Sequence, residues 1–354
     1  MHTLLRDRRA LAERVRAGNL QTLISDAVDD GVDGLLAFAA GPGADPLIDA
    51  ERRRLVLREG VAHAELVRVT AALAAAGIRA AILKGSALAY THYPEPWCRP
   101  RIDLDLLVSR RDRDRSRDAM RALGYHEGRP MSGRWLMQQD AWKREAGAGV
   151  PLDCDVHFEL TNRQFFTARL PVEPLLARAV PAPFAGPGAL QLDPVDALLY
   201  SCVHRVAHHS REARLIWHAD IARQGAALDA AAVAAFVDRA ASAGLSSIAA
   251  QELRIASALW NERSGALAPE IVRDLSAAGR HEPAAKFLAG GRGPAGDLWL
   301  DLRSLSRWRD RAGLVAELLF PTREYMLRQP GVTPANLSWR YVRRYLEWPV
   351  RWFR

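Results

Sequence analysis

The longest regular pattern in the chain runs over residues 47–76. Leu55, Ala62, Leu66, Val69 and Leu73 recur there at helix-like spacing, and Gly77 supplies the stop. Ahead of it, residues 1–45 alternate short apolar clusters with charges and predict two helices ending near Gly41-Pro42-Gly43. Behind it, residues 79–83 read as a short buried strand. Lys84-Gly85-Ser86 then turns the chain into a helix that runs to about His92, and Pro94 and Pro96 fix the following loop. Along 102–108 successive side chains alternate faces, so Ile102, Leu104 and Leu106 are expected in the core while Asp103 and Asp105 point together the other way. Ser109 and Asp112 mark the start of a helix closed by Gly124, with the charges of 110–118 as its solvated face. Residues 134–146 and 150–160 predict a hairpin through Gly147-Ala148-Gly149. On its second strand Asp153, Asp155, His157 and Glu159 share one face, and Leu152, Cys154, Val156 and Phe158 the other.

A linker is marked by Pro171, Pro174, Pro181, Pro183, Gly186, Pro187 and Gly188, and the pattern beyond it is helical almost to the end. These breaks give an N-terminal helical segment (1–46), a central domain (47–170) and a helical C-terminal domain (171–354). In the last of these, Asp193 or Asp196 caps a helix with Leu198, Leu199, Cys202 and Val206 on its apolar side. His204 and His208 are neighbours on one face of it, and the next helix carries Trp217, His218 and Asp220. A metalloprotease HExxH is excluded because Arg205 stands where its glutamate must be. Zinc held by two histidines and an aspartate is a weaker reading than a hydrogen bond between packed helices. The glycines of 290–294 form a loop, since no strand precedes them and no GK[ST] follows.

Composition narrows the class. The 354 residues suit two domains, and 49% hydrophobic with 25% charged residues is ordinary for a globular chain. Apolar runs are too short to cross a bilayer, and the N-terminus leads into no apolar signal core. With Cys98, Cys154 and Cys202 widely spaced, the expectation is a cytoplasmic protein with reduced thiols. Of 49 basic residues only Lys84, Lys143 and Lys286 are lysines, so a lysine beside Gly85 is informative. It reads as a charge partner for phosphate, against the plainer reading of a solvated strand end.

The chemistry concentrates at 84–105. Asp103 and Asp105 converge on one spot, where hard oxygen ligands suit Mg²⁺ or Mn²⁺ completed by nucleotide phosphates. Gly85 admits close backbone approach, and the N–H groups after Ser86 open a helix toward an anion. The segments Leu83-Lys84-Gly85-Ser86-Ala87-Leu88-Ala89, Tyr93-Pro94, Arg99-Pro100 and Asp103-Leu104-Asp105-Leu106-Leu107-Val108 resemble a bacterial family of uncharacterised nucleotidyltransferases, and Asp155-Val156-His157-Phe158 extends the likeness weakly. That family lies in the superfamily sharing its fold with DNA polymerase beta and kanamycin nucleotidyltransferase. Ile102 departs from it, since a small residue usually precedes the first aspartate.

The resemblance implies an α+β fold, a mixed sheet flanked by helices and followed by a mostly helical domain. It implies transfer of a nucleoside monophosphate from an NTP to a hydroxyl-bearing small metabolite, sugar or natural product, with pyrophosphate leaving. Asp103 and Asp105 would hold the ion that grips the triphosphate, and a third carboxylate, Asp155 with Asp153 as its rival, would join them on a second ion. Lys84, Gly85 and Ser86 would cradle the phosphates, with Arg99 neutralising charge or bracing its loop. His157, His204, His208 and Asp220 would position or deprotonate the acceptor. Two alternatives share these features: a toxin-like enzyme acting on tRNA, compatible with a net charge of +8, and a non-catalytic nucleotide-binding or interaction module. The intact carboxylates weigh against the latter.

The C-terminus interleaves Trp339, Tyr341, Tyr345, Trp348, Trp352 and Phe353 with arginines. Pro349 is expected to break its helix. Packing of the aromatics against the helical domain is the favoured expectation, ahead of contact with an anionic membrane.

Overall fold

The computed structural model describes residues 19–129, 133–146, 150–209, 214–288, 294–327 and 329–352, with Leu5, Glu13 and Glu212 besides. The two expected N-terminal helices are α1 (Leu20–Asp29) and α2 (Asp33–Ala40), and most of residues 1–18 lie outside the described residues. The long pattern becomes α3 (Pro46–Ala75). Asp45 caps it by accepting the Leu47 N–H, and Gly77 ends it with φ +66°.

Seven strands form one mixed sheet: β1 (Ala80–Ile82), β2 (Asp103–Val108), β3 (His126–Arg129), β4 (Gln139–Ala146), β5 (Val150–His157), β6 (Val180–Pro181) and β7 (Leu190–Gln191), in the order β3-β4-β5-β2-β1-β7-β6. β2 runs antiparallel to β1 and parallel to β5. The predicted hairpin is β4–β5, although its turn at 147–149 lies outside the described residues. β3 escapes prediction because His-Glu-Gly-Arg offers no apolar alternation.

The strand parity sorts the two faces. Ile82, Leu104, Leu106, Cys154, Val156 and Phe158 pack against Leu66, Val69 and Leu73 of α3. On the other side Ala81, Leu83 and Leu107 pack into the helical region. Ile102 is a correction: it is 73% exposed, because the ladder begins one residue later with Asp103 opposite Asp153.

The Pro/Gly-rich stretch is also corrected, from linker to part of the fold. Its prolines and glycines punctuate short elements, a helix over Val172–Arg178 and the strands β6 and β7, and β7 joins β1 in parallel. The Thr70 hydroxyl of α3 donates to Ala185 O at 2.9 Å and ties the stretch down. The helical region then follows with α4 (Pro194–His208), α5 (Leu215–Ala227), α6 (Ala230–Ser242) and α7 (Ser246–Trp260). Asp193 caps α4 by accepting the Val195 and Asp196 N–H groups, while Asp196 is ion-paired with Arg178 and Arg239.

Toward the end come α8 (Trp308–Leu319) and α9 (Leu337–Trp352). α9 continues through Pro349 instead of stopping there, although the proline has no N–H to donate to the carbonyl four residues back. The expected burial of its aromatics fails for Trp339, which is 60% exposed, since only the other side of α9 faces the protein. The side chains of Tyr345, Trp348 and Trp352, and all of Phe353, lie outside the described residues. No helix among the described residues is long and apolar enough to cross a membrane. All three cysteines are buried free thiols.

Candidate active site

The site is built where β1 runs out. Leu83 N–H donates to Asp105 O at 2.9 Å, extending the β1–β2 ladder by one step, and the next residue, Lys84, adopts φ +50°. That left-handed conformation is rare for a residue with a Cβ. It starts the helix Lys84–Thr91 and sets Lys84 Nζ 2.9 Å from Asp105 Oδ1. The same oxygen accepts from His157 Nε2 at 2.7 Å. A carboxylate only accepts, so Nε2 carries the hydrogen.

Parallel pairing of β2 with β5 places Asp155 beside Asp105 and His157 beside Leu107. Ligand atoms of Asp105, Asp155 and His157 all lie within 4.8 Å of one another. Asp155 Oδ2 accepts from Gln139 Nε2 at 2.6 Å. Asp103 and Asp105, with Lys84, Gly85, Ser86 and His204, line a cleft of about 380 Å³ whose far wall includes His209, Arg214 and Trp217.

The carboxylates crowd one another. Burial and then the Asp105 charge push Asp103 up to about 6, and burial with both neighbouring aspartates pushes Asp155 up to about 7. Burial would raise Asp105 as well, but the Lys84 ammonium and the His157 hydrogen bond hold it well below the usual carboxylate range. Burial depresses His157, followed by the charge of Lys84, which leaves the imidazole neutral. Several oxygens repelling one another around a single ammonium form a donor set that a hard divalent cation would satisfy. Asp105, Asp155 and His157, whose ligand atoms converge, could therefore hold a divalent metal ion, with Asp103 adding a further carboxylate at the cleft.

Other expected site residues are placed differently. Asp153 lies opposite Asp103, with its side chain 41% exposed and 3.5 Å from Lys143 Nζ. Arg99 lines the cleft, but part of its guanidinium is engaged in an ion pair. Its Nε and Nη2 clamp Asp220 at 2.9 and 2.7 Å, and Tyr93 adds its hydroxyl to the same carboxylate at 2.7 Å. Asp220 thereby forms an ion pair between β2's leading loop and α5. Gly85 serves that pair, since a Cβ there would lie 3.1 Å from Arg99 Cζ. The close approach of the guanidinium beneath the turn thus depends on the absence of a side chain.

His204 faces the cleft with its Nδ1 buried and unpartnered among the described residues. The His208 ring stands 5.1 Å from that of His204. Burial and the Lys84 charge depress both, His208 to about 3, so both are neutral hydrogen-bond acceptors. Three residues of the site carry no readable signal in the sequence. Gln139 is one polar residue among many, Tyr200 stands buried near Lys84, and His209, packed on Trp217 at 4.1 Å between ring centroids, looks like an extension of His208.

A family model described as an uncharacterised nucleotidyltransferase matches residues 44–261, well over half of the chain. The match contains β1, the Lys84 turn, both carboxylate strands and helices α4 to α7. No curated protein matches.

Proposed function

The chain belongs to the family of uncharacterised nucleotidyltransferases, and from that premise we propose that it transfers a nucleoside monophosphate from an NTP to an acceptor hydroxyl in a Mg²⁺- or Mn²⁺-dependent reaction. The observation that carries this reading is the in-register pairing of Asp105 on β2 with Asp155 on β5, with Asp103 and Lys84 lining the cleft beside them. The acceptor oxygen attacks the α-phosphorus, the bond to the bridging oxygen breaks, and pyrophosphate departs. A bound divalent ion would neutralise phosphate charge and favour the alkoxide-like form of the attacking hydroxyl. Asp103, Asp105 and Asp155 would hold that ion. Lys84 offsets charge on the triphosphate, and the N–H groups at the start of the helix Lys84–Thr91 face the same cleft. Neutral His204, which lines the cleft, would accept a hydrogen bond from an acceptor hydroxyl. Arg99 and Asp220 hold the loop and α5 together around these groups.

The two candidate third carboxylates differ sharply in surroundings, and their substitutions should differ too. Asp155→Asn is expected to lower kcat by about 10²–10³-fold, the scale on which one preorganised electrostatic group acts, with little change in NTP affinity. Asp153→Asn should stay near wild type, because its side chain is half exposed and its ion pair is with Lys143 at 3.5 Å. Steady-state kinetics with calorimetric NTP titration separates the two. Reversed effects would make Asp153 the ligand.

Metal affinity should also follow the raised carboxyl groups. Protons compete with the ion at Asp103 below about pH 6 and at Asp155 below about pH 7. Titration with Mn²⁺ from pH 8 to pH 5.5 is expected to show steadily weakening binding, and Asp155→Asn should flatten the upper part of that dependence. The reading as a whole is tested by titrating each NTP with Mg²⁺ into the wild type and Asp103→Asn. Metal-dependent binding lost in the variant supports it, and equal binding in both refutes it.

A further inference from the structure

The last helix, α9, meets the rest of the protein along one side. Leu337 is buried, Tyr341 donates its hydroxyl hydrogen to Pro321 O at 2.7 Å, and Arg344 donates to Leu318 O at 3.2 Å. Positions four and three apart share a helix face, so these contacts define the inner side. On the opposite face Trp339, Val342 and Leu346 follow one another at i, i+3 and i+7 and are 60%, 47% and 67% exposed. Arg343 is exposed among them.

We infer that this outer face lies on the surface of an anionic lipid bilayer, holding the protein there as a peripheral attachment. The size of the stripe argues against a second copy of the chain. Three side chains along about 10 Å of helix fall far short of the roughly 1,000 Å² that a stable protein interface needs. Its chemistry argues against RNA. Two of the three groups are aliphatic and offer no ring on which a base could stack. An apolar stripe carrying tryptophan and edged by arginine matches the headgroup boundary, where the indole sits at the interface and the guanidinium meets lipid phosphate. The charge selects the kind of lipid. Residues 335–354 hold five arginines against one glutamate, so a negatively charged surface attracts the segment. Since no described helix spans a bilayer, the attachment is along the surface.

The full chain should co-sediment with vesicles of phosphatidylcholine containing one-third phosphatidylglycerol, much less with phosphatidylcholine alone, and less as salt rises. Trp339→Ser combined with Leu346→Ser should weaken partitioning at least about tenfold, as loss of two buried apolar groups requires, with the melting temperature unchanged because both side chains already face solvent. Arg343→Glu should weaken the preference for anionic lipid, since it lowers the segment's net charge from +4 to +2. Binding to both vesicle types that neither variant alters would overturn the inference. So would failure of the wild type to bind, a light-scattering dimer that the double variant lacks, or RNA retention abolished by that variant.

Discussion

Asp105→Asn is expected to abolish nucleotidyl transfer and to destabilise the protein by about 3 kcal/mol, whereas Asp103→Asn should abolish transfer without loss of stability. For each, kcat should fall about a thousandfold or more, on the scale of losing a group that acts electrostatically at the reacting phosphate. The difference in stability comes from their neighbours. Asp105 is 5% exposed and is the counter-charge of Lys84 and the partner of His157, so an amide leaves an ammonium in the site without its anion. Asp103 is held against its own charge by burial and by Asp105.

The pH dependence of Asp103 follows from that direction. Its folded pKa, about 6, lies above the unfolded 3.8, so its contribution to stability is full below pH 3.8 and is lost as pH rises through 6. Removing the carboxyl should therefore leave stability near wild type at pH 4 and raise it at pH 8. Urea denaturation of the metal-free proteins at the two pH values measures this. Equal destabilisation by both substitutions would show that the charges are not arranged as described.

The second large effect lies outside the carboxylates. Arg99→Ala and Asp220→Ala should each cost about 3–5 kcal/mol, because either change leaves a buried charge without its partner. Both side chains are at most 10% exposed. The paired replacement Arg99→Ala with Asp220→Ala should cost less than the sum of the single changes, since it removes both charges together. Denaturation of the three variants gives the coupling directly. Additive costs would mean that the two groups act independently and that the loop and α5 are held together by something else.

Much of this site is legible in the amino-acid sequence. The alternation Asp103-Leu104-Asp105-Leu106 fixes which side chains share a face, and the same rule puts Asp153, Asp155 and His157 together on one face of β5. Helix α3 is equally plain, because its apolar spacing and its Gly77 stop agree. Register and partnership are what local patterns leave open. Asp153 and Asp155 have the same parity, and only the pairing of β2 with β5 shows that one lies beside Asp105 and the other beside Asp103 at the rim. Arg99 and Asp220 stand far apart in sequence, so nothing local reveals that they neutralise each other. The strands of two to four residues in β3, β6 and β7 are too short to carry a period. Their place is set by the neighbours they pair with.

The most direct test of the proposed chemistry follows the label of an NTP carrying a radioactive α- or γ-phosphate, incubated with the protein, Mg²⁺ or Mn²⁺ and cell extract. Nucleotidyl transfer predicts that the α-label enters an acceptor and the γ-label leaves in pyrophosphate, with both outcomes lost in Asp103→Asn. A γ-label delivered to the acceptor, or α-label incorporation undiminished in Asp103→Asn, would contradict it.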